Sequence, residues 1–123
     1  TRFFVASLME YRVIIHDRAK EDIRRNARWW ADHHSSSQAE KWFHFAFDSM
    51  EKLAHFPESH PIAAESPEFP IEIRELNFGL GSRPGYRALF AIQSNDVHVL
   101  TIRRAAQDSV SAEDLRLDFL DTE

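Results

Sequence analysis

Residues 86–104 carry the clearest pattern of apolar and polar positions in the chain, two apolar runs hinged on Ser94, Asn95 and Asp96. Asn and Asp tolerate the left-handed backbone of tight turns, so this stretch predicts a β-hairpin. Side chains alternate along a strand. An even-length turn therefore puts Tyr86, Ala88, Phe90 and Ile92 on one side with Val97, Val99 and Thr101, the predicted core side. The other side then holds Arg87, Leu89, Ala91, His98, Leu100, Ile102 and Arg104, an apolar middle with a guanidinium near each far end. A three-residue loop would break this pairing.

The rest of the pattern reads in order. Residues 11–16 are short and β-branched, a first strand, and Asp17 is placed to cap the helix that follows. Ala19, Ile23, Ala27, Trp30 and Ala31 recur at helical spacing and predict an amphipathic helix over 18–33. Its outer row of Lys20, Arg24 and Arg28 reads as a solvated face, with Glu21 beside Arg25. The serines at 35–37 separate this helix from a second, for which Ser37 and Glu40 form a capping box. Ala39, Trp42, Phe43, Ala46, Met50 and Leu53 make its stripe, which ends at Phe56 because Pro57 cannot continue a helix. Phe45 and Phe47 widen that stripe beyond one face, as expected of a helix covered on two sides or of one that offers a partner groove.

Residues 57–70 hold four prolines and no periodicity and read as a loop. Residues 71–76 alternate, with Ile71 and Ile73 inward and Glu72 and Arg74 outward. Residues 77–85 hold all three glycines and are expected to be the most flexible stretch. Gly79 and Gly81 fall short of a phosphate loop, since no G-K-[ST] accompanies them and a strand follows. Ser111 caps a last, acidic helix with Leu115, Leu117, Phe119 and Leu120 as its apolar residues. The predicted order is β-α-α-β-β-β, an α+β fold with a twisted, mostly antiparallel sheet and the helical hairpin packed on one face.

Composition refines this picture in three places. A length of 123 residues with 43% apolar content fits one domain over 1–123, with 1–10 as an N-terminal extension, Met9 as a second possible start, and 111–123 as the C-terminal helix. The absence of cysteine excludes disulfides and thiolate metal sites and favours a reducing, cytoplasmic setting; no apolar run reaches a membrane span. The net charge of −5 resides wholly in the residues from Asp108 onward, where six acids face only Arg116. Arginines outnumber lysines 12 to 3, so any basic footprint is local and built for planar, bidentate contact with phosphate or carboxylate.

Four stretches in this order resemble the RelE/ParE superfamily of type II toxin-antitoxin toxins, the plasmid stabilisation proteins: K-L-A-H-F-P closing the helical hairpin, I-E-I-R-E-L, G-Y-R-A-L-F-A-I, and V-H-V-L-T-I-R-R-A-A-Q-D. The resemblance covers residues 11–110. It implies a toxin bound and neutralised by a cognate antitoxin. It also implies either inhibition of DNA gyrase, as in ParE-like members, or metal-independent, ribosome-dependent cleavage of messenger RNA, as in RelE-like members. A degenerate toxin that retains only antitoxin binding is a third possibility. Arg87 in G-Y-R matches an arginine of the RelE-like enzymes, and Arg74 lies in the strand where they carry lysines. The departures are Glu72 at a position usually basic, Gln107 where many relatives have a catalytic arginine, and no tyrosine after Tyr86. The chain is therefore expected to stand closer to ParE than to RelE.

The candidate chemistry follows from both readings. If the protein is a ribonuclease, Arg74, Arg87 and Arg104 would share one sheet surface and stabilise phosphoryl-transfer charge, with His98 as general base because an arginine stays protonated. If it is a binder, Leu89, Leu100, Arg87, Arg104, Phe45 and Phe47 would meet the antitoxin, or the arginines would pair with Glu72 and the acidic tail, which could fold over them. The seven histidines show no H-x-x-x-H or H-E-x-x-H spacing, so no metal and no cofactor is expected. The target, the antitoxin's identity and the oligomeric state have no signature in the sequence.

Overall fold

The computed structural model describes residues 10–80, 85–105, 115, 117 and 119. Within them the order is β1 (Arg12–Ile15), α1 (Asp17–His33), α2 (Ser36–Glu51), β2 (Arg74–Phe78), β3 (Tyr86–Gln93) and β4 (Asp96–Arg104). The four strands form one mixed sheet in the order β1-β4-β3-β2, antiparallel except for the β1–β4 pair. This is the α+β fold expected from the pattern. The predicted C-terminal helix capped by Ser111, and the position of Gln107, lie outside the described residues.

Local signals account for most boundaries. Ser35, rather than Ser37, caps α2, its hydroxyl oxygen accepting the Gln38 N–H at 3.1 Å. α2 ends at Glu51 in a 3₁₀ turn over Lys52–Ala54, and Phe56 then takes a left-handed conformation (φ 51°) ahead of Pro57. The hairpin turn is Ser94–Asn95, an even-length loop with Ser94 at φ 56°, and Gln93 pairs with Asp96.

The helical hairpin packs on one face of the sheet. Ala19 and Ile23 of α1 and Trp42, Ala46 and Met50 of α2 meet Tyr86, Ala88, Phe90, Val97 and Val99, all buried. Full burial of the larger of these side chains is worth about 1.5–3 kcal/mol each, which makes this cluster the main driving force for the fold. The opposite face is not open. Ala63, Phe69 and Ile73 from the proline-rich loop, together with Leu115, cover Leu89, Ala91 and Leu100 to form a second, smaller core. Ile73 thus points away from the helices, and Arg74, one residue on, points toward them.

One irregularity resets the alternation. Phe90 pairs with Val99 but Leu89 pairs with Thr101, so Leu100 is an extra residue, a β-bulge in β4. Up to Val99 the odd-numbered residues of β4 face the helices, as the pattern predicts. Beyond the bulge the even-numbered ones do: Ile102 joins the helix-side core and Arg104 lies over the Trp29 ring of α1, 4.2 Å from its centroid. Thr101, expected on the core side, pairs opposite Leu89 instead. A carboxylate holds the bulge in place. β1 pairs only as far as Val99, so β4 beyond it lacks a strand on that edge, and the buried Asp22 of α1 accepts hydrogen bonds there from Ile102 N–H (3.0 Å) and Thr101 Oγ1 (2.6 Å).

Candidate functional site

The expected cationic platform does not form. Pairing with Phe90 turns Arg74 to the helix side at the sheet margin. Its guanidinium donates to the carbonyl oxygens of His60 (2.6 Å) and Glu58 (3.1 Å) and bridges to Glu72 at 3.0 Å, the partner the sequence offered. Arg104 is carried to the helix side by the bulge. Of the three arginines, only Arg87 occupies the face opposite the helices, so the three share no common surface.

Arg87 itself is occupied. Its side chain is 11% exposed, and its two terminal nitrogens form a fork with Glu65, one contact at 3.0 Å and a second, short ion pair, while Nη1 also meets Glu75 at 3.1 Å. The Glu65 hydrogen bond outweighs burial and raises the Arg87 pKa above its ordinary value. This fork is the geometry a guanidinium would offer to a phosphate. Here the chain's own loop fills it. Glu65 has no pattern around it that marks it as a partner; the only signal is an acid amid small residues in a proline-rich loop, and Ser66 Oγ helps seat that loop by accepting Ile73 N–H at 2.9 Å. Arg103, directly across from Arg87, keeps a buried Nε without a hydrogen-bond partner.

His98 does lie on the face of Arg87, but its ring is paired with a residue the pattern did not connect to it. His16, just past β1, places Nε2 2.8 Å from His98 Nδ1. Phe119 stacks on His98 at 4.1 Å and meets His16 edge-on at 5.3 Å. Burial is the leading cause that lowers both histidine pKa values. The neighbouring His98 lowers His16 further while Asp17 opposes, and for His98 the raising effect of Asp96 is countered by Arg12. Both rings are thus biased to the neutral form.

Of the expected antitoxin contacts, Leu89 and Leu100 are buried beneath the loop and Leu115 rather than presented at the surface. Phe45 and Phe47 remain partly exposed on different sides of α2. Phe45 leans on Phe78, and Phe47 packs against Phe43 with ring centres 5.0 Å apart. On α1, Glu21 bridges Arg24 and Arg28, while Arg25 pairs with Asp22 rather than with Glu21. Among the described residues no three His, Asp or Glu side chains gather as a metal site, and no helix is long and apolar enough to cross a membrane.

The architecture is an α+β sheet carrying a helical hairpin on one face. The solved chromosomal ParDE TA system from P. aeruginosa shares it, with a TM-score of 0.66 at 14% identity over 78% of this chain and 97% of that one. At that identity the likeness speaks for the fold. The family model for the ParE toxin of type II toxin-antitoxin systems, parDE, matches residues 13–109, and the chain belongs to that family. No curated protein sequence matches it.

Proposed function

We propose that the protein arrests growth as a ParE-like toxin, by engaging DNA gyrase, and that a cognate antitoxin neutralises it by binding. Membership of the ParE toxin family over residues 13–109 is the observation that carries this reading. The state of the arginines supports it against RNA cleavage. Arg87 is held by two carboxylates, Arg74 by loop carbonyls and Glu72, and Arg104 lies over Trp29, so none is poised with another to stabilise a phosphoryl-transfer transition state. The antitoxin would then rest on the helical hairpin, where the half-buried Phe43 and Phe47 offer aromatic anchors, rather than on Leu89 and Leu100.

Induced expression, with supercoiling of a reporter plasmid and integrity of messenger RNA read in parallel, tests this. Loss of negative supercoiling with intact transcripts is the expected result. Rapid transcript cleavage that disappears in Arg87→Ala would overturn the assignment in favour of a nuclease. Unimpaired growth would overturn the toxic activity itself.

A further inference from the structure

The His16–His98 pair is built around a single hydrogen. The ring centres lie 5.0 Å apart and the facing nitrogens 2.8 Å, a difference of about two ring radii, so both nitrogens sit close to the line joining the centres. Their lone-pair directions therefore aim at each other. They do not converge on a third point, where a metal ion would have to lie. In the neutral pair one nitrogen donates and the other accepts. Phe119 caps this contact, flat on His98 and edge-on to His16.

Successive protons act differently on this arrangement. The first makes one ring a cation yet leaves the N–H···N contact intact, now charge-assisted, with Phe119 able to accept the cation on its face. The second sets N–H against N–H at 2.8 Å and places two positive rings under one aromatic ring. No rotation in place relieves that. Among the described residues the charges around the pair are Asp17 at the start of α1, Asp96 at the start of β4, and Arg12 on β1, which is tied to Asp96 by two contacts of 3.0 Å. On β3 the residue opposite His98 is the uncharged Ala91. Phe119 is flanked in sequence by Asp118 and Asp121.

We propose that His16 and His98 form a two-proton latch on Phe119: seated while the pair carries at most one added proton, and released when both imidazoles are charged. Release separates the rings and strips the aromatic cover from His98. Burial of both rings works in the same direction, because a lifted Phe119 returns water to them. The latch is independent of which target the toxin engages.

The test uses the full chain with 4-fluorophenylalanine at position 119 alone, followed by fluorine NMR from pH 8 to pH 4.5 while far-UV circular dichroism reports the fold. The expected result is a resonance displaced from its random-coil position at pH 7.5 that moves to it as the pH falls below the ordinary histidine value, with helical signal retained. In His16→Gln, and in parallel in His98→Phe, which keeps an aromatic ring beneath Phe119, the second charge cannot form and the resonance should stay at its seated position over that range. A signal that stays put in the parent chain down to pH 4.5, one that moves only together with loss of helix, or one that moves alike in both variants would each overturn the latch.

Discussion

Replacing Asp22 by alanine should cost the protein much of its stability, although the residue belongs to no catalytic or binding proposal. Asp22 is fully buried, and one of its oxygens accepts both Ile102 N–H and Thr101 Oγ1 at the bulge in β4. Its other oxygen takes Arg25, with Arg18 further off at 3.6 Å. Alanine strands two buried donors, at about 1–3 kcal/mol each. The exposed arginines add little, since surface ion pairs are worth about 0–1 kcal/mol. A loss of about 4 kcal/mol is expected, against a total of about 5–15 kcal/mol for a domain. With a urea m-value of about 2 kcal/mol/M, the midpoint should fall by about 2 M with m unchanged. An asparagine side chain can still offer one carbonyl oxygen to Ile102 and Thr101, so Asp22→Asn should lose about half as much. Hydrogen exchange supplies the local readout: the Ile102 amide should lose protection in Asp22→Ala before the amides of α2 do. An Asp22→Ala variant within about 1 kcal/mol of the parent, or one with Ile102 fully protected, would refute the idea that this carboxylate holds the bulge.

Two further outcomes follow from the same kind of accounting. Glu65→Gln should destabilise the protein by about 2–3 kcal/mol, below the usual cost of breaking a buried pair because Glu75 still meets Arg87; joint replacement by Glu65→Leu and Arg87→Met should recover most of the loss in urea unfolding, and a loss in Glu65→Gln of under about 0.5 kcal/mol would argue against the fork. His16, His60 and His98 all have depressed pKa values, led in each case by burial, so the unfolded chain binds more protons than the folded one just below the ordinary histidine value. Stability is therefore complete above about pH 6.5 and falls as pH drops through that value toward the folded-state pKa values, which thermal unfolding at pH 8, 7, 6 and 5 will read, with a flatter profile in His16→Gln.

The hairpin, both helices and the order of elements were legible because each follows from short-range rules: Ser94 and Asn95 at an even-length turn, apolar residues at 3.6 spacing through Ala19 and Ile23, a serine ahead of α2. The faces of β4 were legible only as far as Val99. A single unpaired residue at Leu100 inverts every side chain after it, and the contact that meets the bulge, Asp22–Thr101, spans 79 residues, where no local pattern reaches. The same limit hid Glu65, whose tie to Arg87 spans 22 residues from an aperiodic loop, and His16, which meets His98 across 82. Arg74 and Arg104 looked like neighbours of Arg87 because strict alternation was extended through the bulge and because Ile73 was matched to the helix-side core rather than to the second one.

The loop that carries Glu65 also closes one border of the sheet. Ala63 N–H donates to Ile73 C=O at 2.8 Å, Glu75 N–H to Pro61 C=O at 3.0 Å, and Ile62 bridges Arg74, so the outer rim of β2 is paired with the chain's own backbone where the strand begins. Stacking of one molecule's sheet onto the next in an endless ribbon requires two unpaired rims per molecule. With that rim occupied where β2 begins, a second copy meets paired backbone there instead of open donors and acceptors, which disfavours rim-to-rim growth into fibres.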